Sequence, residues 1–135
     1  MADAEIKALI ETMHSEQFAA MSSKDETQIE KFFDKFYAKD MVFIRPSGNP
    51  LDMSSAKGMW LSEDVKTEAQ ALKSVDTVKV LSCGMAAVAT YTAHEKFSYK
   101  GTPNEDIVKY SMTFEKVGDK WVVVQGHRAT GQPPA

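Results

Sequence analysis

The feature that most limits how this chain can fold is a change of hydrophobic period near Leu72. Beyond it, β-branched and aromatic residues dominate four runs, 72–83, 86–98, 106–117 and 120–129. The runs are divided by Cys83-Gly84, by Lys100-Gly101-Thr102-Pro103-Asn104 and by Val117-Gly118-Asp119. Turns this short join neighbouring strands antiparallel, so the C-terminal half reads as a four-strand meander.

Before Leu72 the period is helical. Ile6, Leu9, Ile10, Met13 and Gln17 fall three and four apart, which predicts an amphipathic helix from near Asp3 to Ser22-Ser23. Asp25 is then a fit N-cap, with Gln28 as its capping-box partner and Ile29, Phe32, Phe33 and Phe36 as the apolar stripe of a second helix. Met41 to Arg45 reads as a short strand that Pro46 ends, with Ser47-Gly48-Asn49-Pro50 as turn chemistry. Ser54 or Ser55 caps a short helix running through Trp60-Leu61. Helices first and an antiparallel sheet afterwards predict an α+β domain with helices over one sheet face. At 135 residues the chain, residues 1–135, fits one domain that buries roughly two-thirds of its unfolded surface.

Alternate strand residues share a face. In the last run Trp121, Val123, Gln125, His127 and Ala129 therefore point one way, taken as inward. In 86–98 the face Ala87, Ala89, Tyr91, Ala93 and Glu95 is taken as inward, because small alanines let helices approach. Tyr110 with Met112 and Phe114 is its counterpart on the next strand. The outer face then carries Val88, Thr90, Thr92, Val122 and Val124, more apolar than a solvated face should be, which predicts cover by another chain.

Composition removes several function classes. A formal charge of -3 and a pI near 5.6 give no cationic surface for nucleic acid. No apolar run reaches the ~20 residues that cross a bilayer, and the N-terminus lacks the basic start and apolar block of a signal peptide, so the cytoplasm is expected. Cys83 is alone, and His14, His94 and His127 lack metal-ligand spacing, so neither a metal nor a cofactor is expected. There is no nucleophile elbow, and Gly101-Thr102-Pro103-Asn104-Glu105-Asp106 lacks the glycines and lysine of a phosphate loop.

Three groups of residues carry a resemblance that spans nearly the whole chain. They are Phe43-Ile44-Arg45-Pro46-Ser47-Gly48-Asn49 after the second helix, Gly84 with Ala86-Ala87-Val88, and Gly118-Asp119-Lys120-Trp121 followed by His127, Gly131 and Pro133. In this order the chain resembles the nuclear transport factor 2-like superfamily, in its SnoaL-like and ketosteroid-isomerase-like branch. It is most similar there to the association domain of calcium/calmodulin-dependent protein kinase II and its free-standing relatives. The resemblance implies a cone-shaped fold whose strongly curved sheet and helices enclose a pocket, and a homodimer through the outer sheet face. Fold alone does not choose among the chemistries such pockets host.

Individual residues narrow the choice. The aspartate base of ketosteroid isomerases falls on Arg45, which cannot accept a proton near neutral pH, and their oxyanion-holding tyrosine falls on Phe18. The closing motif of the metal-free carbonic anhydrases falls on Gln125, Gly126, His127, Arg128 and Ala129, so one of its three histidines is kept and both serines are lost. Joining the inward faces to the helices gives a pocket lined by Tyr37, Phe43, Arg45, Trp60, Tyr91, Tyr110 and His127. Here His127 and Tyr91 are the candidates for acid-base work, and Tyr37, Phe43, Arg45, Trp60 and Tyr110 the candidates for ligand contact. Arg45 either holds an anionic or carbonyl group or pairs with an acid such as Glu95, and Trp60 is either lid or core. The function expected is binding of a small, partly apolar anionic or carbonyl ligand. The alternatives are an acid-base enzyme using His127 (isomerase, dehydratase or hydratase, carbon dioxide hydration included) and a non-catalytic oligomerisation module.

Overall fold

The computed structural model describes residues 2–132. The order is α1 (Ala2–Ser23), α2 (Glu26–Phe36), β1 (Tyr37–Ile44), β2 (Pro50–Leu51), α3 (Met53–Leu61), β3 (Val65–Val80), β4 (Ala86–Tyr99), β5 (Thr102–Val117) and β6 (Lys120–Gln132). Three helices pack on one face of an unclosed six-stranded sheet ordered β2-β1-β6-β5-β4-β3, an α+β architecture. Pro133, one of the residues that carry the resemblance, lies outside the described residues.

Helix α1 buries Ile6, Ile10, Met13, His14 and Gln17, one stripe at helical spacing. Asp25 caps α2 by accepting from the Thr27 amide at 2.9 Å, and the Gln28 amide reaches back to its carboxylate at 3.4 Å. The cap of α3 is Asp52 rather than Ser54 or Ser55; its carboxylate accepts from the Ser55 amide at 2.8 Å. Asp52 directly precedes Met53, the first helical residue, whereas Ser54 and Ser55 already lie within the helix, so the Asp52 carboxylate reaches the orphan amides of the first turn better than either serine. The aromatic stripe of α2 packs on α3, with the Phe33 and Trp60 rings 4.6 Å apart.

Lys24 ties the end of α3 to the start of β3. Its ammonium donates to the carbonyls of Trp60 and Ser62, both at 2.8 Å, and of Val65 at 2.5 Å. Carbonyls left over at a helix C-terminus are thereby satisfied by a cation, which the helix dipole also favours.

The sheet departs from the expected wholly antiparallel one, because β1 runs parallel to β6, pairing Phe43 with Gly126 and Ile44 with His127. Parallel partners are joined by long crossovers, so no turn signal announces them. Strand β3 also begins at Val65 instead of Leu72: residues 65–71 have a weak period of their own, and the ladder with β4 holds them extended. Against β4, β3 carries an extra residue at Glu68, Lys73 and Asp76. Bulges bend and twist the strand that contains them, which curves the sheet around the helices.

One further bulge decides the site. Phe114 pairs with Val123 while Thr113 pairs with Gln125, leaving Val124 as an extra residue in β6. The alternation reverses there. Val123 faces the helices, and beyond the bulge Gly126 and Arg128 do so while Gln125 and His127 turn outward. His127 is exposed and paired with exposed Ser111, so its expected place in the pocket is corrected.

The outer face also differs from the apolar surface expected. Thr92 donates to Asp76 at 2.6 Å and accepts from Lys109 at 2.6 Å; Ser74 donates to Asp76 at 2.7 Å, and Thr77 bonds Thr90 at 2.6 Å. These groups satisfy one another, and Val122 is covered within the chain, so of the expected residues it is Val88 that stands widely exposed. No helix among the described residues is long and apolar enough to cross a membrane.

Candidate functional site

Between the helices and the concave sheet face lies a cavity of about 290 Å³. Its walls are predominantly apolar, including Phe33, Phe43 and Trp60 from the α2, β1 and α3 side and Phe97 from β4. The aromatic stripe of α2 and the small inward alanines of β4 allow this arrangement: large rings build the walls, while alanines let α1 approach the sheet. Gly126 has a related role, because a Cβ there would lie 2.6 Å from the Phe43 ring and 2.9 Å from Met112 Sδ. Only a residue without a side chain lets Phe43 sit over β6.

The polar groups of the cavity converge at one buried point. Glu95 of β4, 3% exposed, receives Arg128 Nε at 3.1 Å and Nη2 at 2.8 Å on one carboxylate oxygen, and the Tyr110 hydroxyl at 2.5 Å on the other. The guanidinium lies 5.5 Å from the centre of the Phe97 ring. Burial works to lower the Arg128 pKa, but Glu95 and Tyr110 outweigh it and the net direction is upward. Burial first, then the Glu95 charge, pushes the Tyr110 phenol well above its ordinary range, so it stays a neutral donor. Charge at this point is balanced, while Arg128 Nη1 and the carboxylate edges remain chemically able to bond a ligand.

Arg45 sits elsewhere, half-buried at the rim beside exposed Pro46. Its Nε reaches the Asn49 carbonyl at 3.4 Å within the turn closed by Gly48. Among the described residues it has no carboxylate partner, since Glu95 pairs with Arg128. The reading of Arg45 as the partner of Glu95 is thereby corrected: the bulge at Val124 brings Arg128 to that carboxylate.

Behind the Tyr110 ring is a second polar group. Tyr91 stacks on Tyr110 with centroids 4.8 Å apart, and His14 of α1 stands edge-on to both at 6.1 and 6.0 Å. Both His14 nitrogens and the Tyr91 hydroxyl are buried without a hydrogen-bond partner. Leaving such groups unpaired costs about 1–3 kcal/mol each. Burial lowers the His14 pKa against the opposing pull of Glu95, so the imidazole is neutral. The Tyr91 phenol is raised by burial, then by Tyr37, Tyr110 and Glu95. The buried Tyr37 phenol is likewise raised, by burial.

The cavity thus brings together Tyr37, Phe43, Arg45, Trp60 and Tyr110. Tyr91 lies one ring behind its wall, and His127 is on the opposite face of the sheet. Sequence reasoning missed Arg128, His14 and Gln17, and weighed Glu95 only as a partner for Arg45. A histidine and a glutamine three apart on the apolar stripe of α1 were the available signal for two of them; nothing in the sequence announces the bulge that brings in Arg128.

A family model described as a protein of unknown function (DUF3804) matches residues 3–134. Among solved structures, an NTF2-like protein of unknown function from Prochlorococcus marinus is 35% identical, with 82% of this chain and 85% of that chain covered and a TM-score of 0.70. A putative Ca/calmodulin-dependent kinase II association domain from Exiguobacterium sibiricum is 16% identical over 95% of each chain, with a TM-score of 0.74. A ketosteroid isomerase-like protein from Erwinia carotovora is 18% identical over 93% of this chain and 96% of that one, with a TM-score of 0.66. No curated protein matches the chain.

Proposed function

Because the chain belongs to the DUF3804 family and has the NTF2-like fold, whose pockets host unrelated chemistries, we propose from the site itself that it binds a small, partly apolar molecule bearing a carboxylate or carbonyl. The observation that carries this reading is the cavity of about 290 Å³, with apolar walls and few convergent polar groups, the general character of a small-molecule site. Its polar groups favour an anion at the rim. The Glu95–Arg128 pair is already neutral, whereas Arg45 adds a positive charge without a carboxylate partner among the described residues. A planar guanidinium suits a carboxylate, and the aromatic walls take the remainder of the molecule.

Calorimetric titration of the whole chain with aromatic and aliphatic carboxylates, each against its uncharged amide, tests this. The carboxylates should bind more tightly, and Arg45→Met should cost them about 1.5–3 kcal/mol, the range of hydrogen bonds to a charged group. His127→Ala should leave binding unchanged. Equal binding of carboxylates by the parent and by a folded Arg45→Met variant would make Arg45 a turn residue and remove the anion from the reading.

Self-association over the outer sheet face belongs to the same proposal. It is supported by exposed Val88 and by the likeness to proteins named as association domains. A monomeric mass in sedimentation at micromolar concentration would count against it.

A further inference from the structure

We propose that His14 and the Tyr91 hydroxyl form an inner subsite behind the Tyr110 ring that receives a hydroxyl group of the ligand and holds a water in the free protein. The inference rests on the ligand-binding reading and extends it from the rim of the cavity to the polar pair behind its Tyr110 wall. Three buried polar atoms lie here without partners, Nδ1 and Nε2 of His14 and Oη of Tyr91, on rings whose centroids are 6.1 Å apart. His14 is 2% exposed and Tyr91 fully buried, so bulk water does not satisfy them. Natural proteins rarely leave such groups unpaired, and a polar site with two or three partners is the kind that holds an ordered water or a ligand atom.

The site lies next to the cavity rather than in remote core. Tyr110 lines the cavity and stacks on Tyr91; Gln17, one turn along α1 from His14, also lines it, as does Tyr37. The donor set selects the group. A neutral imidazole presents one donor and one acceptor on opposite ring edges, and a phenol hydroxyl can do either, so a guest hydroxyl can pair with one His14 nitrogen and the Tyr91 hydroxyl together, whichever tautomer the ring adopts. A carboxylate is excluded. It would enter beside Glu95, whose one strong cationic partner, Arg128, is already engaged on the far oxygen from Tyr110. The ligand class is therefore a hydroxy acid: charge at the Arg45 rim, apolar middle, uncharged hydroxyl at the inner end.

The test pairs 3-(4-hydroxyphenyl)propanoate with 3-phenylpropanoate in calorimetric titrations of the whole chain. The parent should prefer the hydroxylated probe by at least about tenfold, the value of one well-made hydrogen bond. Tyr91→Phe keeps the stacked ring and breaks no hydrogen bond to another protein group, so it should fold with a Tm close to the parent's. It should bind 3-phenylpropanoate as the parent does and lose most of the preference. Equal binding of the two probes by the parent overturns the subsite and leaves the carboxylate reading standing. If neither probe binds, the carboxylate reading falls, and a high-resolution crystal structure of the free protein judges the subsite alone. A water bridging His14 and Tyr91 Oη supports it, and a dry, unpartnered pair overturns it.

Discussion

Replacing Arg128 with Met should destabilise the protein strongly, and replacing Glu95 with Gln in the same chain should restore most of the loss. The Arg128 side chain is 16% exposed and that of Glu95 3%, so solvent screens neither charge well. Removing the guanidinium leaves a buried carboxylate with the Tyr110 hydroxyl as its remaining partner. Breaking a buried pair from one side costs about 3–5 kcal/mol, and loss of the cation over Phe97 adds about 0.5–1 kcal/mol. Met keeps much of the aliphatic stem, so little packing is lost. A total of about 4–5 kcal/mol is a large part of the ~5–15 kcal/mol that holds a domain together, and should lower Tm by roughly 14–18 °C. With Glu95→Gln added, no charge is stranded and Tyr110 still finds an acceptor. The double variant should lie within about 1–2 kcal/mol of the parent, so that adding Glu95→Gln recovers roughly 2–4 kcal/mol of the Arg128→Met loss. Urea unfolding of the four proteins at pH 7 measures this, with unchanged m-values showing that the same cooperative unit unfolds. A loss below about 1 kcal/mol for Arg128→Met, or a coupling under about 0.5 kcal/mol, would refute the claim that a desolvated ion pair sits in the cavity.

Lys24→Met removes the shared donor of the Trp60, Ser62 and Val65 carbonyls, of which Ser62 keeps the Val65 amide; it should cost about 1–3 kcal/mol and speed amide exchange in α3, and unchanged exchange would refute the clamp. Burial holds the His14 pKa below its ordinary value of 6.5, so on acidification the unfolded chain takes the proton first. The contribution to stability is therefore complete above about pH 6.5 and falls between there and the lower folded-state value, by at most about 1.4 kcal/mol per pH unit. His14→Phe should flatten the stability profile in that window, and an unaltered slope would show that other groups set it. Gly126→Ala should cost about 1–3 kcal/mol and weaken ligand binding by pushing the Phe43 ring toward the cavity, whereas a neutral effect would mean the ring yields freely.

What the sequence alone determined was what local chemistry controls. Ile6, Ile10 and Met13 specify the buried face of α1, and Asp25 with the phenylalanines specifies α2, because caps and 3.6-residue periodicity act within a few residues. The tight turns after β3, β4 and β5 likewise fix the meander, since short connections leave no other pairing. Tertiary structure alone decided the parallel pairing of β1 with β6 and the extra residue at Val124, because each is set by distant strands competing for hydrogen bonds. That one bulge exchanged His127 for Arg128 in the cavity. A strand's side chains alternate with period two, so one inserted residue moves every following side chain to the other face, and Val-Val-Val-Gln-Gly carries no local mark of where the insertion falls.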